Sequence, residues 1–224
     1  MYRTIGVVFL GCLLAGEMRS GEKTVKGWGQ IADPDGDCKF AEKDGKLTLS
    51  VPGNRHDFDP RPGYKNNGPR AFQEVEGDFA IEVRISGTLV PDKGKELDGK
   101  DYAFRAGTLL VWQDSNNFIR LDRTGMVRGG NNITAAYFHV FKDGKRIFEQ
   151  APLIKDEVTI LRIERKGNLI MASYIQGKTK KTFPNQESSL DAKVQVGVGA
   201  VNASSQPLEV VFDELKLTKG KGEK

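Results

Sequence analysis

A hairpin pattern between Ala106 and Arg123 constrains the fold of this chain more than any other feature. Two β-type runs, 108–113 and 118–123, are separated by four turn-forming residues, Asp114-Ser115-Asn116-Asn117. Asn and Asp tolerate left-handed backbone and hydrogen-bond to their own main chain, so the chain can reverse here. The first run is almost continuously apolar, as in a strand covered on both faces. We therefore predict a central pair of antiparallel strands.

The second run of this hairpin alternates in polarity. Ile119 and Leu121 fall on one side of the strand, and Arg120 and Asp122 fall on the other. Because successive side chains of a strand point to opposite faces, one face is expected to enter the core. The other face is expected to line a surface groove.

The rest of the chain repeats short runs of this kind. We predict strands at 28–31, 38–42, 46–51, 71–75, 78–85, 133–141, 158–164, 169–176, 194–201 and 207–217. No stretch of ten or more residues shows helical periodicity. With 224 residues and 26 glycines, the chain is long enough for one core with many tight turns. The prediction is an all-β antiparallel sandwich covering residues 26–217.

Both ends of the chain lie outside this predicted domain. Residues 1–20 have the pattern of a secretory signal peptide, with Arg3 before an uncharged apolar stretch and the small residues Ala15 and Gly16 at its end. The apolar stretch is shorter than the ~20 residues that span a bilayer, so no transmembrane segment is expected. A buried N-terminal strand and a lipoprotein cleavage site before Cys12 are the alternatives. We expect a secreted, periplasmic or cell-envelope-exposed protein.

Charge excludes one class of partner. Residues 218–224 form a lysine-rich tail that contributes much of the net charge of +4. No basic stripe interleaved with aromatic residues is present, so nucleic-acid binding is not expected.

Three alternating aspartates, Asp33, Asp35 and Asp37, resemble a calcium-binding loop. Gly36 and Asp44 stand at the fourth and twelfth positions, which does not match the EF-hand pattern. We interpret the segment as an Asx-rich turn, and a structural calcium ion there stays open.

Zinc and disulfide chemistry are not expected. Cleavage after Cys12 would leave Cys38 as the single cysteine, which cannot form an internal disulfide and is interpreted as a small buried residue. With His56 and His139 as the only histidines, the sequence predicts no zinc site.

The segment 52–70 is a long predicted loop rich in Gly, Pro and Asn. Loops of this length in compact domains are either functional or disordered, and we interpret this one as functional. His56 and Asp57 within it are candidates for the rim of a binding site, or alternatively for turn capping.

Several motifs taken together resemble the regulation-of-enolase-type family of concanavalin A-like domains. They are Gly27-Trp28-Gly29, Asp33-Pro34-Asp35-Gly36-Asp37-Cys38, Gly68-Pro69-Arg70, Gln73-Glu74-Val75-Glu76-Gly77-Asp78-Phe79, Ala106-Gly107, 109–114, Phe118-Ile119-Arg120-Leu121-Asp122-Arg123 and Leu161-Arg162-Ile163-Glu164-Arg165. The resemblance implies a jelly-roll sandwich of two curved antiparallel sheets, related to lectins and laminarinase-type glycosidases. Two positions depart from the family: Asp122 replaces the usual Glu, and Gly68 replaces a common Ala.

The resemblance does not by itself imply an activity. Glycoside hydrolysis needs two carboxylates about 5 to 9.5 Å apart. The alternating acidic run from Glu74 to Asp78 matches neither the order nor the spacing found in the laminarinase relatives, and we interpret it as an exposed hairpin end. Glu164 and Asp122 stand alone on their strands, although carboxylate pairs across strands stay open.

The sequence therefore predicts a non-catalytic domain that binds carbohydrate through its concave sheet. Aromatic faces and planar hydrogen-bonding groups are what sugar rings and hydroxyls require. The candidate ligand-binding residues are Arg70, Gln73, Trp112, Arg120, Asp122, Tyr137, His139, His56 and Asp57. For each of them a structural role, such as an ion pair between strands or a place for Trp112 in the core, is the alternative. A glycoside hydrolase or lyase and a protein-interaction module are the alternative functions.

Overall fold

The computed structural model describes residues 23–220, and its regular secondary structure is entirely β. The predicted signal peptide and residues 221–224 of the predicted tail lie outside the described residues. Residues 23–220 contain no helix, hence none long and apolar enough to cross a membrane. The strands are β1 Thr24–Val25, β2 Gly29–Ala32, β3 Lys39–Lys43, β4 Lys46–Val51, β5 Arg70–Glu76, β6 Phe79–Ser86, β7 Tyr102–Trp112, β8 Phe118–Arg128, β9 Asn131–Lys142, β10 Lys145–Gln150, β11 Thr159–Lys166, β12 Leu169–Gln176, β13 Thr179–Thr182, β14 Gln186–Glu187, β15 Lys193–Ala203 and β16 Leu208–Lys219.

These strands form two antiparallel sheets. The first sheet has the order β1-β2-β5-β15-β7-β8-β9-β10. The second has the order β13-β12-β11-β6-β16-β4-β3, with β14 paired to β12. Strands distant in sequence, such as β15 and β7, are neighbours in the first sheet, as in a jelly roll. The predicted all-β jelly-roll sandwich is confirmed.

The core lies between the two sheets and follows the period-two pattern. In β6, buried residues alternate with partly exposed ones along the strand. The central hairpin behaves as predicted: β7 pairs with β8, and Ile119 and Leu121 are fully buried in the main core. Arg120 and Asp122 point to the opposite face of the first sheet, directed away from this core. This face is called the outer face below.

The short strands at the sheet margins were not predicted. β10 is an edge strand whose residues are mostly exposed, and its two apolar residues, Ile147 and Phe148, are adjacent, so no alternation marks it in the sequence. β1, β13 and β14 are two to four residues long. At the domain ends, the strands run from Thr24 to Lys219, slightly beyond the predicted 26–217.

The predicted 52–70 loop crosses the outer face of the first sheet, and its last residue, Arg70, belongs to β5. Phe58 is fully buried and anchors the loop by packing edge-on against Trp112, with ring centroids 6.0 Å apart. Trp112 stacks in turn on Phe118, and Phe118 stacks on Phe141. The loop and this aromatic row give the outer face a small hydrophobic core of its own.

Candidate functional site

A cleft of about 290 Å³ lies on the outer face of the first sheet, beside the anchored loop. Strands β7, β8, β9 and β10 supply its floor and one wall, and the loop supplies the other wall. Its lining residues are Asp57, Asp59, Arg61, Tyr64, Tyr102, Phe104, Arg120, Asp122, Thr124, Met126, Arg128, Tyr137, His139, Arg146 and Glu149. The lining therefore combines aromatic rings with charges of both signs.

Arg120 is the centre of the cleft floor. Its Nη1 donates to Asp57 Oδ1 at 3.0 Å and to the Phe58 carbonyl at 3.1 Å, which ties the loop to β8. Its Nε lies 3.2 Å from Asp122 Oδ2 in an ion pair. Asp122 is 1% exposed and Asp57 2%, so one guanidinium holds two buried carboxylates in a fixed arrangement.

Burial changes the proton affinities of these groups. Loss of water raises the pKa of Asp122 to about 6, against the opposing attraction of Arg120. Burial also raises the pKa of Asp57, again opposed by Arg120. Burial, aided by the positive charge of Arg120, lowers the pKa of His139 well below its usual value. At neutral pH His139 is therefore a neutral imidazole beside an ionised but easily protonated Asp122.

Three polar atoms of the cleft lining are buried without a well-formed hydrogen bond to any described residue: Arg120 Nε, Asp122 Oδ1 and His139 Nδ1. His139 Nδ1 lies 3.5 Å from Glu149 Oε2, and His139 Nε2 lies 3.7 Å from Asp122 Oδ2. Buried polar groups are normally paired, so such atoms indicate places where another polar group belongs.

Aromatic side chains form the upper part of the cleft. Tyr137 stacks on His139 with ring centroids 5.4 Å apart and planes 4° apart. Burial raises the pKa of Tyr137, so its hydroxyl remains protonated at neutral pH. On the loop side, the Arg61 guanidinium lies 4.6 Å from the centroid of the half-exposed Tyr64 ring.

The structure brings some of the predicted site residues together and separates others. Asp57, Arg120, Asp122, Tyr137 and His139 all line the cleft. The alternation of β8 and β9 places the strand residues there, and the Phe58 anchor places Asp57. These five residues therefore share one cleft, and their role in binding a ligand stays a prediction.

The remaining candidates lie outside the cleft, and the predicted grouping is corrected for them. Trp112 is 6% exposed and belongs to the buried aromatic row, with the Arg70 guanidinium 4.4 Å from its ring centroid. Gln73, on β5, donates to the Gly27 carbonyl at 3.2 Å. His56 is fully buried and points toward Asp37 on the turn after β2. Gln73 lies on β5, which β15 separates from the strands of the cleft. Trp112 lies on β7, but at the opposite end of that strand from the cleft-lining Tyr102, and the Phe58 ring packs against it.

Sequence reasoning missed several lining residues. Thr124, Met126 and Arg128 continue the alternation that starts at Arg120, and extending the predicted strand beyond residue 123 would have found them. Glu149 lies on the unpredicted edge strand β10 and carried no such signal.

The two acidic segments behave as turns and edges. Asp33 accepts hydrogen bonds from the Gly36 and Cys38 amides, which is the predicted Asx-type turn. Glu74 is exposed and pairs with Lys193 at 3.0 Å, and Gly77 turns the chain with a φ of 73°. Neither segment lines the outer-face cleft.

Comparison with known proteins identifies the fold and goes no further. No family model matches the chain, and no curated protein matches its sequence. A functionally unknown protein from Saccharomyces cerevisiae aligns over 87% of this chain and 98% of its own length, with a TM-score of 0.64 and 14% identity.

Two enzymes also share the fold. The GH43 protein BlXynB from Bacillus licheniformis aligns over 85% of this chain, with a TM-score of 0.59 and 14% identity. A xylan beta-1,4-xylosidase from Bacillus halodurans aligns over 81%, with a TM-score of 0.55 and 12% identity. This chain spans 36% and 34% of their lengths. The chain thus has the sandwich fold that recurs in carbohydrate-active proteins, as one part of longer chains in these two.

Proposed function

We propose that this chain is an exported, non-catalytic domain of the regulation-of-enolase-type family that binds carbohydrate in the outer-face cleft. One observation carries the proposal: a cleft walled by tyrosines whose floor holds the buried, incompletely bonded Arg120 Nε and His139 Nδ1. Sugar hydroxyls can satisfy such atoms while the C–H face of the ring lies against an aromatic side chain.

The geometry assigns a separate task to each group. Arg120 is held by Asp57 and Asp122, so its donors are oriented before a ligand arrives, which lowers the ordering cost of binding. The protonated Tyr137 hydroxyl can donate or accept a hydrogen bond. Tyr64, 42% exposed, is available to cover a sugar ring from the loop side.

The fold suggests which polysaccharides to test first. Proteins with the same sandwich include a xylan beta-1,4-xylosidase, so xylan oligosaccharides belong in the first panel with other plant and microbial glycans. Binding would be measured on a glycan array and by calorimetry with the full chain.

Two variants and one matched control make the test specific. Tyr137→Ala removes an aromatic wall and is expected to weaken binding about tenfold, equivalent to about 1.4 kcal/mol. His139→Gln removes a polar group of the floor and is also expected to weaken binding. Arg162→Ala, on the second sheet, breaks a similar arginine–carboxylate contact with Glu164 (3.0 Å) and should leave binding unchanged. Equal affinity of all three variants, or no binding to any glycan, would refute the proposal.

One observation supports a second candidate, a glycoside hydrolase. Asp57 and Asp122 both contact Arg120, so two carboxylates lie in one cleft, and a pKa of about 6 is that of a general acid at mildly acidic pH. In that case Asp122→Asn abolishes release of reducing sugar while ligand binding persists. Binding without any turnover by the unmodified chain rejects this candidate.

A further inference from the structure

A second cluster of polar side chains lies on the far side of the loop from the cleft. The turn after β2 brings Asp35, Asp37 and Cys38 against the fully buried His56 of the loop. One ligand atom each from Asp37, Cys38 and His56 lies within 4.8 Å of the others. Strands β3 and β4 lie between Cys38 and His56 in the sequence, so the sequence alone predicted no such cluster.

The outer ring nitrogen of His56 faces two carboxylates. Its Nε2 lies 2.9 Å from Asp37 Oδ1 and 3.8 Å from Asp35 Oδ2, and its Nδ1 lies 3.3 Å from the Asn54 carbonyl oxygen. Without a cation, the neutral ring satisfies the shorter contact as the Nε2–H tautomer, which donates to Asp37. A metal ion would bind the other tautomer, in which Nδ1–H donates to Asn54 and the Nε2 lone pair is free to coordinate.

The cluster offers mixed donors. Cys38 Sγ lies 3.4 Å from Asp37 Oδ1 and adds a soft donor to the imidazole and the carboxylate. Zinc–ligand bonds of about 2.0–2.3 Å in a tetrahedron place ligand atoms roughly 3.3–3.8 Å apart. The ligand atoms of Asp37, Cys38 and His56 lie within 4.8 Å of one another, so they would have to move together by about 1 Å or less around the ion.

Neighbouring amides orient these donors as outer-shell residues do in metal sites. Asn54 Nδ2 donates to Asp37 Oδ2 at 3.3 Å, which leaves Oδ1 facing His56. Asn67 Nδ2 donates to Asp35 at 2.6 Å. The carbonyl of Asn54 can accept from Nδ1–H of His56 in the tautomer that leaves Nε2 free for a metal ion. Side chains of Asp35 and Asp37 are 35% and 36% exposed, so an ion can enter from solvent.

We propose that Asp37, Cys38 and His56 form a zinc-binding site that fastens the loop to the turn after β2, with Asp35 next to it. Imidazole and thiolate suit Zn²⁺, whereas Ca²⁺ takes oxygen ligands. Asp33, one of the three aspartates of the predicted calcium loop, is occupied by the Gly36 and Cys38 amides. The site is structural: His56 precedes Asp57, so the ion also steadies the loop that carries one wall of the cleft.

The test is a titration of the full, metal-free chain with Zn²⁺ in competition with a chelator of known affinity. One equivalent of zinc is expected to bind. Cys38→Ser and His56→Gln should each weaken binding by about 100-fold or more, because loss of an outer-shell partner alone costs roughly 10- to 100-fold. His139→Gln removes the other histidine of the chain and should keep zinc affinity while weakening glycan binding.

A spectroscopic measurement on the unmodified chain makes the result independent of how well the variants fold. Co²⁺ in this site should give thiolate-to-cobalt charge-transfer absorption, and excess Zn²⁺ should remove it. Failure to bind zinc, unchanged affinity in both ligand variants, or saturable Ca²⁺ binding that excludes Zn²⁺ would each overturn the proposal. None of these three results would contradict the proposal of glycan binding in the cleft.

Discussion

Gly68 departs from the alanine common in the family it resembles, and the structure supplies a reason that can be tested. A Cβ added to Gly68 would meet the Phe58 ring, with Cε1 and Cε2 at 2.6 Å. Cζ of the ring would be closer still. Ordinary contact begins near 3.4 Å, so the ring would have to retreat by more than roughly 0.8 Å, the difference for Cε1 and Cε2. Gly199 lies against the same ring, since a Cβ there would be 2.7 Å from Phe58 Cζ. The ring is thus confined by two glycines and has little room to move.

We expect Gly68→Ala to destabilise the folded chain by about 2 kcal/mol, within the roughly 1–3 kcal/mol typical of overpacking. Phe58→Leu should cost about 1–2 kcal/mol, part of the 3–5 kcal/mol of truncating a buried Phe to Ala. The double variant should be no less stable than Phe58→Leu alone, because the shorter side chain makes room for the methyl group. Chemical denaturation of all four proteins at one temperature measures the coupling.

The coupling energy decides whether this reasoning is correct. A steric origin requires the two substitutions to offset each other by at least about 1 kcal/mol in the double-mutant cycle. Additivity within about 0.5 kcal/mol would show that Phe58 does not dictate glycine at position 68. A stable Gly68→Ala variant would lead to the same conclusion.

Three further predictions concern the first sheet. Folded Asp122 keeps its proton up to about pH 6, whereas the unfolded chain releases it near 3.8, so its contribution to stability falls as pH rises through this range. The free energy of unfolding of wild type, relative to that of Asp122→Asn, should therefore drop by about 3 kcal/mol between pH 3.5 and pH 7. This figure takes about 1.4 kcal/mol per factor of ten in proton affinity. A difference in free energy of unfolding that does not change with pH would contradict the assigned pKa. Arg120→Ala leaves the buried carboxylates of Asp57 and Asp122 without their partner and should lower the free energy of unfolding by about 3–5 kcal/mol. Arg162→Ala, at a partly exposed ion pair, should lower it by about 1 kcal/mol or less. Equal losses of the two variants in chemical denaturation would argue against a buried network. Leu121→Ala should cost about 2–5 kcal/mol in the same assay, and a near-neutral result would place Leu121 outside the core.

Both proposed sites include residues of the same segment, the loop between β4 and β5. Phe58 fixes it to the outer face, and His56 and Asp57 face opposite directions from neighbouring positions, as successive residues of an extended segment do. A change at the zinc site is therefore expected to reach the cleft through a single peptide unit.

Local patterns in the sequence were sufficient to determine the sandwich. Period-two polarity placed Ile119 and Leu121 in the core and Arg120 and Asp122 on the outer face, because a strand offers only two faces. Four turn formers specified the reversal of the central hairpin. These signals are local, so they can be read without knowing what each strand pairs with. The edge strand β10 lacked them because its only apolar residues, Ile147 and Phe148, are adjacent and do not alternate with polar ones.

Only the tertiary structure decided which side chains meet. Sheet order separated Gln73 from the cleft and made Glu149 part of it, and no local pattern encodes the order of strands. Trp112 is on a cleft strand, but the Phe58 ring of the loop packs against it. The long loop places His56 against Asp37 and Asp57 against Arg120. It is held there because the Phe58 ring packs against Gly68 and Gly199, where a side chain would leave no space. Contacts between residues far apart in sequence depend on chain topology and packing, and these determined both candidate sites.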